Sequence, residues 1–537
     1  MVLVDVVVTD KQGKAVSGLT RDDFTVEENG KPQKLSTFQT PGELQLPLAV
    51  PLPPGIYSNR PQYRSPGSAL TVLLLDALNT PFKDQAYARR QMLRFVQEQY
   101  KPGQRMAIFT LTDSLRVLQD FTSDPQVLYA ALQQFLPEPQ RMVASGRPST
   151  TIASGSATAA STVSTLDASV PAQTMSSGNV GLHGGSADVA GVTGALHFFE
   201  SAAVAYQLDQ RTVLTLNALD SLTRILGGIP GRKNIIWVTG DLPFSLIPEN
   251  RTVTAAELEE DLPSLNTRRV GEHSAGNLAA TIRESNAGQI RETSARLSNA
   301  QIAIYPVDAR GLSISVDIDA QEVMREMASE TGGRAYVNQN EIKEGVARAF
   351  DDASATYTLG YYPDNKKWDG KYRHIKVKVK RDGIEFRNRQ GYYALDPTQI
   401  KGYNPEQEVA SALKDSAPAT LVGFSARVVP PSANTAKGKL GVDFLVDAST
   451  LSAEDTSGGK KLNAAFYVYA FSPAGKILGN RSMKVDQAFD AKTYAQIVQK
   501  GLLLHMDLDP VPANSQLHLA VQDNRTGMVG ALEAPAP

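Results

Sequence analysis

Residues 69–80 read Ala-Leu-Thr-Val-Leu-Leu-Leu-Asp-Ala-Leu-Asn-Thr. The almost unbroken apolar run from Leu70 to Leu75 is too short for a typical helix. It follows Pro66 and Gly67 and stops at Asp76. Such a run predicts a central strand buried on both faces. In open α/β sheets, ligands bind beyond the carboxyl ends of such strands, which places Asp76 where a site would be.

The surrounding pattern extends this reading. A helix is expected over about 83–100, where Ala88, Met92, Phe95 and Val96 share one face. Lys101-Pro102-Gly103 stops it, and Met106–Leu111 is the next strand. Ser123-Asp124-Pro125 opens another helix. A helical pattern returns near Leu196 and runs, with a break near Gln210, to Leu226. Asn234–Thr239 and Gln301–Val307 are further buried strands, with helices expected at 278–297, 320–330 and 341–353. Strand–helix alternation predicts βαβ units and a doubly wound, mainly parallel sheet. Within this region, residues 144–195 are dominated by Ser, Gly, Ala and Thr, with Arg147, Asp167 and Asp188 the only charges. They read as a low-complexity insertion with little apolar surface to bury.

The flanks have a period of two. Residues 2–9 form a Val-rich strand, Thr20–Asp23 has helix-start spacing, and Phe24–Glu28 and Leu35–Phe38 flank an Asn29-Gly30 hairpin turn. In 374–380, Ile375, Val377 and Val379 alternate with Lys376, Lys378 and Lys380. Strands at 357–362, 384–387 and 392–395 complete an expected meander. We therefore expect a β unit (1–40) paired with a meander (355–397), with the α/β domain (68–354) inserted between them. A connector at 41–67, which holds seven prolines, joins the first two. A connecting segment (398–418) leads to an immunoglobulin-like β-sandwich over 419–537, with strands at 421–429, 440–447, 464–471, 482–486, 501–508 and 517–523.

Composition narrows the function. A formal net charge of −2 gives no global field for nucleic acid. The chain has no Cys, which removes disulfides, thiolate metal sites and thiol nucleophiles and suits an exported protein. No apolar run reaches the roughly 20 residues of a membrane-spanning helix. The opening Met-Val-Leu-Val-Asp-Val starts inside a strand pattern with no signal-peptide features, as expected of a trimmed mature chain or a fragment. The six histidines lack metal-binding spacing, and no Gly-x-Ser-x-Gly elbow occurs. Gly227–Lys233 lacks the Gly-Lys-Ser/Thr of a phosphate loop, and Asp317 and Asp319 lack the rest of a calcium loop. Lys366, Lys367, Lys371, Arg373, Lys376, Lys378, Lys380 and Arg381, interleaved with tyrosines, form a basic strand patch read as a solvated sheet face.

Leu74–Thr80, Ala107–Asp113 with Arg116–Asp124, and Gly231–Gly240 resemble a von Willebrand factor type A (VWA) domain. Ala303–Gly311, Thr331–Ala335, the opening and the stretch 356–394 more closely resemble the bacterial VWFA-related family. The resemblance implies a metal-ion-dependent adhesion site: Asp-x-Ser-x-Ser on the first loop, a Thr on a second and an Asp on a third, around Mg²⁺. Asp76 and Thr80 match the first loop, while Leu78 stands where a Ser should be. Thr212 or Thr215 would supply the second loop. Asp241, displaced by one residue in Thr239-Gly240-Asp241, would supply the third. The alternative is that Asp76 and Thr80 cap the following helix. The family reading implies a periplasmic or secreted, non-enzymatic protein that adheres to a protein or cell-surface macromolecule. A scaffold role for the β domains without metal, and a hydrolase, are the alternatives.

Overall fold

The computed structural model describes residues 1–42, 51–64, 70–101, 105–137, 186–244, 246, 275–311, 318–339, 341–352, 355–396, 404–431 and 438–537, with backbone alone for 64, 186–205, 275–285 and 318–319. The chain is a mixed α/β protein with one largely parallel sheet and several antiparallel ones.

The Leu70–Asp76 strand is buried at every position and lies at the centre of the parallel sheet. Its neighbours are Lys233–Thr239 on one side and Met106–Leu111 on the other, both parallel to it. Ile302–Asp308 extends the sheet beyond Lys233–Thr239. Leu115–Thr122, a strand the sequence pattern does not announce, closes the other edge antiparallel. Because successive side chains alternate faces, the central strand feeds two cores. Leu70, Val72 and Leu74 pack towards the helices Ser186–Leu226, Ala275–Asn299 and Ile318–Thr331. Leu73 and Leu75 pack towards Phe82–Glu98, Pro125–Gln134 and Ile342–Asp352. The chain runs outward from the central strand in one direction and later returns to build the other side. The order therefore reverses between Leu70–Asp76 and Lys233–Thr239, and in open α/β sheets the carboxyl ends at such a switch point are where ligands bind.

The flanking strands pair across the whole α/β segment. Val2–Asp10 runs antiparallel to Thr356–Tyr361 and to Ile384–Arg387. Phe24–Glu28 pairs with Tyr372–Val379. The expected meander does not form. Its strands divide between two four-stranded sheets that enclose one core containing Val4, Val6, Val26, Tyr357, Leu359 and Val377. The hairpin at Asn29-Gly30 returns as Lys31–Gln33, and Leu35–Gln39 crosses to the other sheet. Asn29 and Gly30 both have positive φ, as a tight hairpin turn requires.

The C-terminal region contains two antiparallel sheets over one core that includes Phe424, Phe444, Phe466 and Leu519. Three elements here escape sequence patterning: the strands Ala453–Thr456 and Val529–Pro535 and the helix Ala491–Lys500. The proline-rich stretch is not merely a connector, because Ile56–Ser58 adds a strand to the edge of Phe424–Val429. The Ser186–Leu226 helix starts about ten residues before the expected position and crosses Gln210 unbroken, so 186–195 belong to a helix rather than to an insertion. The rest of that insertion, and Asp317, lie outside the described residues.

The α/β and C-terminal regions are locked together. Arg224 pairs with Asp415 at 2.7 Å, and Arg296 bonds Glu408 at 3.0 Å. Thr420 accepts from the Gly228 backbone, and a Cβ at Gly228 would stand 1.8 Å from the Thr420 carbonyl oxygen. Only glycine permits that approach.

Candidate functional site

Asp76 ends the central strand at the switch point, yet its side chain is turned inward and is 3% exposed. Its Oδ1 accepts from the Asn79 backbone at 2.8 Å. Its Oδ2 accepts from Asn79 Nδ2, Trp237 Nε1 and Thr239 Oγ1, each at 2.9 Å. Burial pushes the carboxyl above the usual carboxylate range, and the bonds from Asn79, Trp237 and Thr239 pull in the opposite direction. Asp76 is thus the acceptor that holds the first loop, the Lys233–Thr239 strand and the third loop in one arrangement.

The other sequence-derived candidates gather around it in roles unlike those the resemblance implies. Thr80 Oγ1 accepts from the Gly240 backbone at 2.9 Å. Thr215 Oγ1 accepts from Asn79 Nδ2 at 3.1 Å. Thr212 is turned along its own helix and donates to the Leu208 carbonyl at 2.8 Å, so it does not join the cluster. Asp241 accepts from the Leu242 backbone and from Arg211 Nη2 at 3.1 Å. The helix-cap alternative fails as well. Pro81 occupies the cap position of Phe82–Glu98 with no side-chain cap bond, and Thr80 is committed to Gly240.

Sequence reasoning passed over Asn79, Arg211 and Trp237. Arg211 Nε donates to Asn79 Oδ1 at 2.9 Å while its Nη2 holds Asp241, so the guanidinium bridges the first and third loops. Its side chain is only 12% exposed. Arg211 immediately precedes Thr212, but nothing local marks its role, because its partners come from loops 132 and 30 residues away.

A divalent ion such as Mg²⁺ requires oxygen ligands with free lone pairs in near-octahedral array. Here the Asp76 oxygens carry four protein donors, Leu78 offers no oxygen, Thr212 points elsewhere, and a guanidinium already occupies the side of Asp241 that faces Asn79. Among the described residues no group of three or more His, Asp or Glu is arranged to hold a metal. The donor set does not fit the ion.

Charge neutralisation continues along the same rim. Asp308 at the end of Ile302–Asp308 is held by Arg310 Nε at 2.9 Å and Nη2 at 3.0 Å. Asp113 is paired with Arg116 at 3.1 Å. Three strand ends thus present carboxylate–arginine pairs. The basic strand patch is similarly reduced. Lys378 pairs with Glu27, and Arg373 is buried against Glu28 at 3.3 Å, not part of a solvated face.

No family model and no curated protein matches the chain. The solved structures similar to it include an aerotolerance-related membrane protein from Bacteroides fragilis (9% identity, 53% of this chain and 99% of that one, TM-score 0.22). A von Willebrand factor type A protein from Catenulispora acidiphila matches at 9% identity over 88% of this chain and 66% of that one, with TM-score 0.23. Three N-terminal domains of the pilus tip protein Mfa5 from Porphyromonas gingivalis match at 10% identity over 83% and 75%, with TM-score 0.28. These overlaps are distant, and the functional reading rests on the chain's own geometry. No helix among the described residues is long and apolar enough to cross a membrane.

Proposed function

We propose that the chain is a non-enzymatic, exported binding protein that contacts another macromolecule through the carboxyl-end face of its central sheet, without a divalent ion. One observation carries the reading: Arg211 bridges Asn79 and Asp241 above a fully satisfied Asp76. A face whose charges are fixed by internal partners presents a preorganised polar surface, which lowers the ordering cost of association. The absence of Cys and the family resemblance support export.

The test is capture of extracytoplasmic proteins by the immobilised chain, with and without EDTA, beside Asp241→Lys. The expected result is a partner retained equally in EDTA and lost by the variant. Loss in EDTA refutes the metal-free reading, and equal retention by Asp241→Lys refutes the face. A scaffold role for the β domains is the second reading, favoured by the strand Ile477–Asp490, which is paired on one side alone among the described strands.

A further inference from the structure

Several sheet edges among the described residues carry a further partner. Ile56–Ser58 covers Phe424–Val429. The Ala531 backbone donates to the Ala419 carbonyl at 3.0 Å, which protects Val529–Pro535. Ser416 accepts from the Val117 backbone on the edge of the central sheet, and Tyr336 bridges to Val307 on the opposite edge.

Ile477–Asp490 is the contrast. This 14-residue strand pairs on one side along its length with Gly459–Phe471, and no described strand pairs with its other side. It contains no proline, and its register is disturbed only at the turn end, between Ala470 and Phe471 of its neighbour. No position in it is buried, and Ile477, Leu478 and Met483 are 50%, 41% and 36% exposed. A long edge with no strand on its outer side is a template for another strand.

We propose that this edge pairs antiparallel with the same strand of a second copy, giving a two-fold dimer with one sheet continuous across both chains. The symmetry restricts the register. A two-fold axis normal to the sheet keeps each side chain on its own face, so the axis must pass through a residue. Centring on Arg481, Lys484 or Asp486 sets a charge against itself. Centring on Val485 sets Lys484 against Asp486 of the second copy, twice, and Arg481 against the Phe489 ring. Opposite charges directly across a strand pair stabilise it, and like charges do the reverse. The overlap then runs from Asn480 to Asp490. Asp486 already holds Lys461 from its paired side at 3.0 Å, so its carboxylate would sit between two lysines. The inference does not depend on the Asp241 face.

Sedimentation velocity on the full chain, across concentrations up to about 100 μM, tests it. The wild type should dimerise. Lys484→Glu turns two attractive pairs into two repulsive ones and should weaken the dimer roughly tenfold to a hundredfold. Adding Asp486→Lys to it recreates both pairs with reversed sign and should restore the dimer, which separates loss of the interface from loss of the fold. A spin label on Ser482→Cys should report a separation of roughly 20 Å, six residues of strand. A wild type that stays monomeric, its edge left for some other chain, overturns the proposal. So does a dimer indifferent to Lys484→Glu, or a label distance far from that value.

Discussion

Replacing Asp76 by Ala asks whether this carboxylate serves the fold or an ion. It receives four hydrogen bonds. Two of the donors keep another acceptor after truncation: Asn79 Nδ2 retains Thr215 Oγ1, and Thr239 Oγ1 retains the Asp241 carbonyl. The Asn79 backbone N–H and Trp237 Nε1 are left without their partner. A buried donor stripped of its acceptor costs about 1–3 kcal/mol, so the two together cost about 2–6 kcal/mol. Urea unfolding of wild type and Asp76→Ala, followed by Trp fluorescence, measures this directly. The chain has two Trp residues, and Trp237 is one of the altered groups. The same titrations in Mg²⁺ complete the test. An ion present at a hundred times its dissociation constant would stabilise the folded state by about 2.7 kcal/mol; we expect no such gain in either protein. A loss below about 1 kcal/mol would show that Asp76 does not hold the loops, and a wild type stabilised by Mg²⁺ beside a variant that is not would show that it holds an ion.

Three further outcomes are expected. Asp220, whose carboxyl burial raises to about 6 against the pull of Arg296 and Arg224, binds its proton more readily folded than unfolded; stability should therefore fall as pH rises from about 4 to 6, by about 2–3 kcal/mol from this group, and Asp220→Asn should flatten that segment of a pH series of urea midpoints. Glu28→Ala leaves Arg373 buried without its carboxylate and removes the acceptor of the Tyr361 and Tyr392 hydroxyls, so it should cost about 3–5 kcal/mol by the same unfolding assay. Gly228→Ala forces a Cβ against the Thr420 carbonyl and should cost about 1–3 kcal/mol, with faster proteolysis in 413–421 as the readout of a loosened junction.

The central strand was legible because burial on both faces leaves a contiguous apolar run, and Leu70–Leu75 is one. The alternation Ile375, Val377, Val379 was legible for the complementary reason: one face is solvated, and the rows of Lys and Val separate cleanly. Leu115–Thr122 was missed because an edge strand is only partly buried and its sequence mixes Arg, Gln and Asp among Val and Leu. The sheet memberships of Leu35–Gln39 and Ile384–Arg387 were also illegible, since a strand's sequence states which face is buried and not which neighbour it takes.

The site divides on the same line. The family resemblance points to Asp76, Thr80 and Asp241 and leaves Thr212 and Thr215 open; Asp76, Thr80, Thr215 and Asp241 stand in one hydrogen-bonded cluster and Thr212 does not. Their chemistry could not be read, because beside the two bonds from nearby Asn79 it is set by groups distant in sequence. A carboxylate at a strand end is a metal ligand only while its lone pairs are free. Trp237 and Thr239 take them from the neighbouring strand, and Arg211, on a helix more than a hundred residues away, brings a positive charge to Asn79 and Asp241. A guanidinium is always protonated and cannot be chelated away. A face organised by Arg211 therefore keeps one state where a metal site would have two, so binding through it should be indifferent to divalent-ion supply and respond to ionic strength instead.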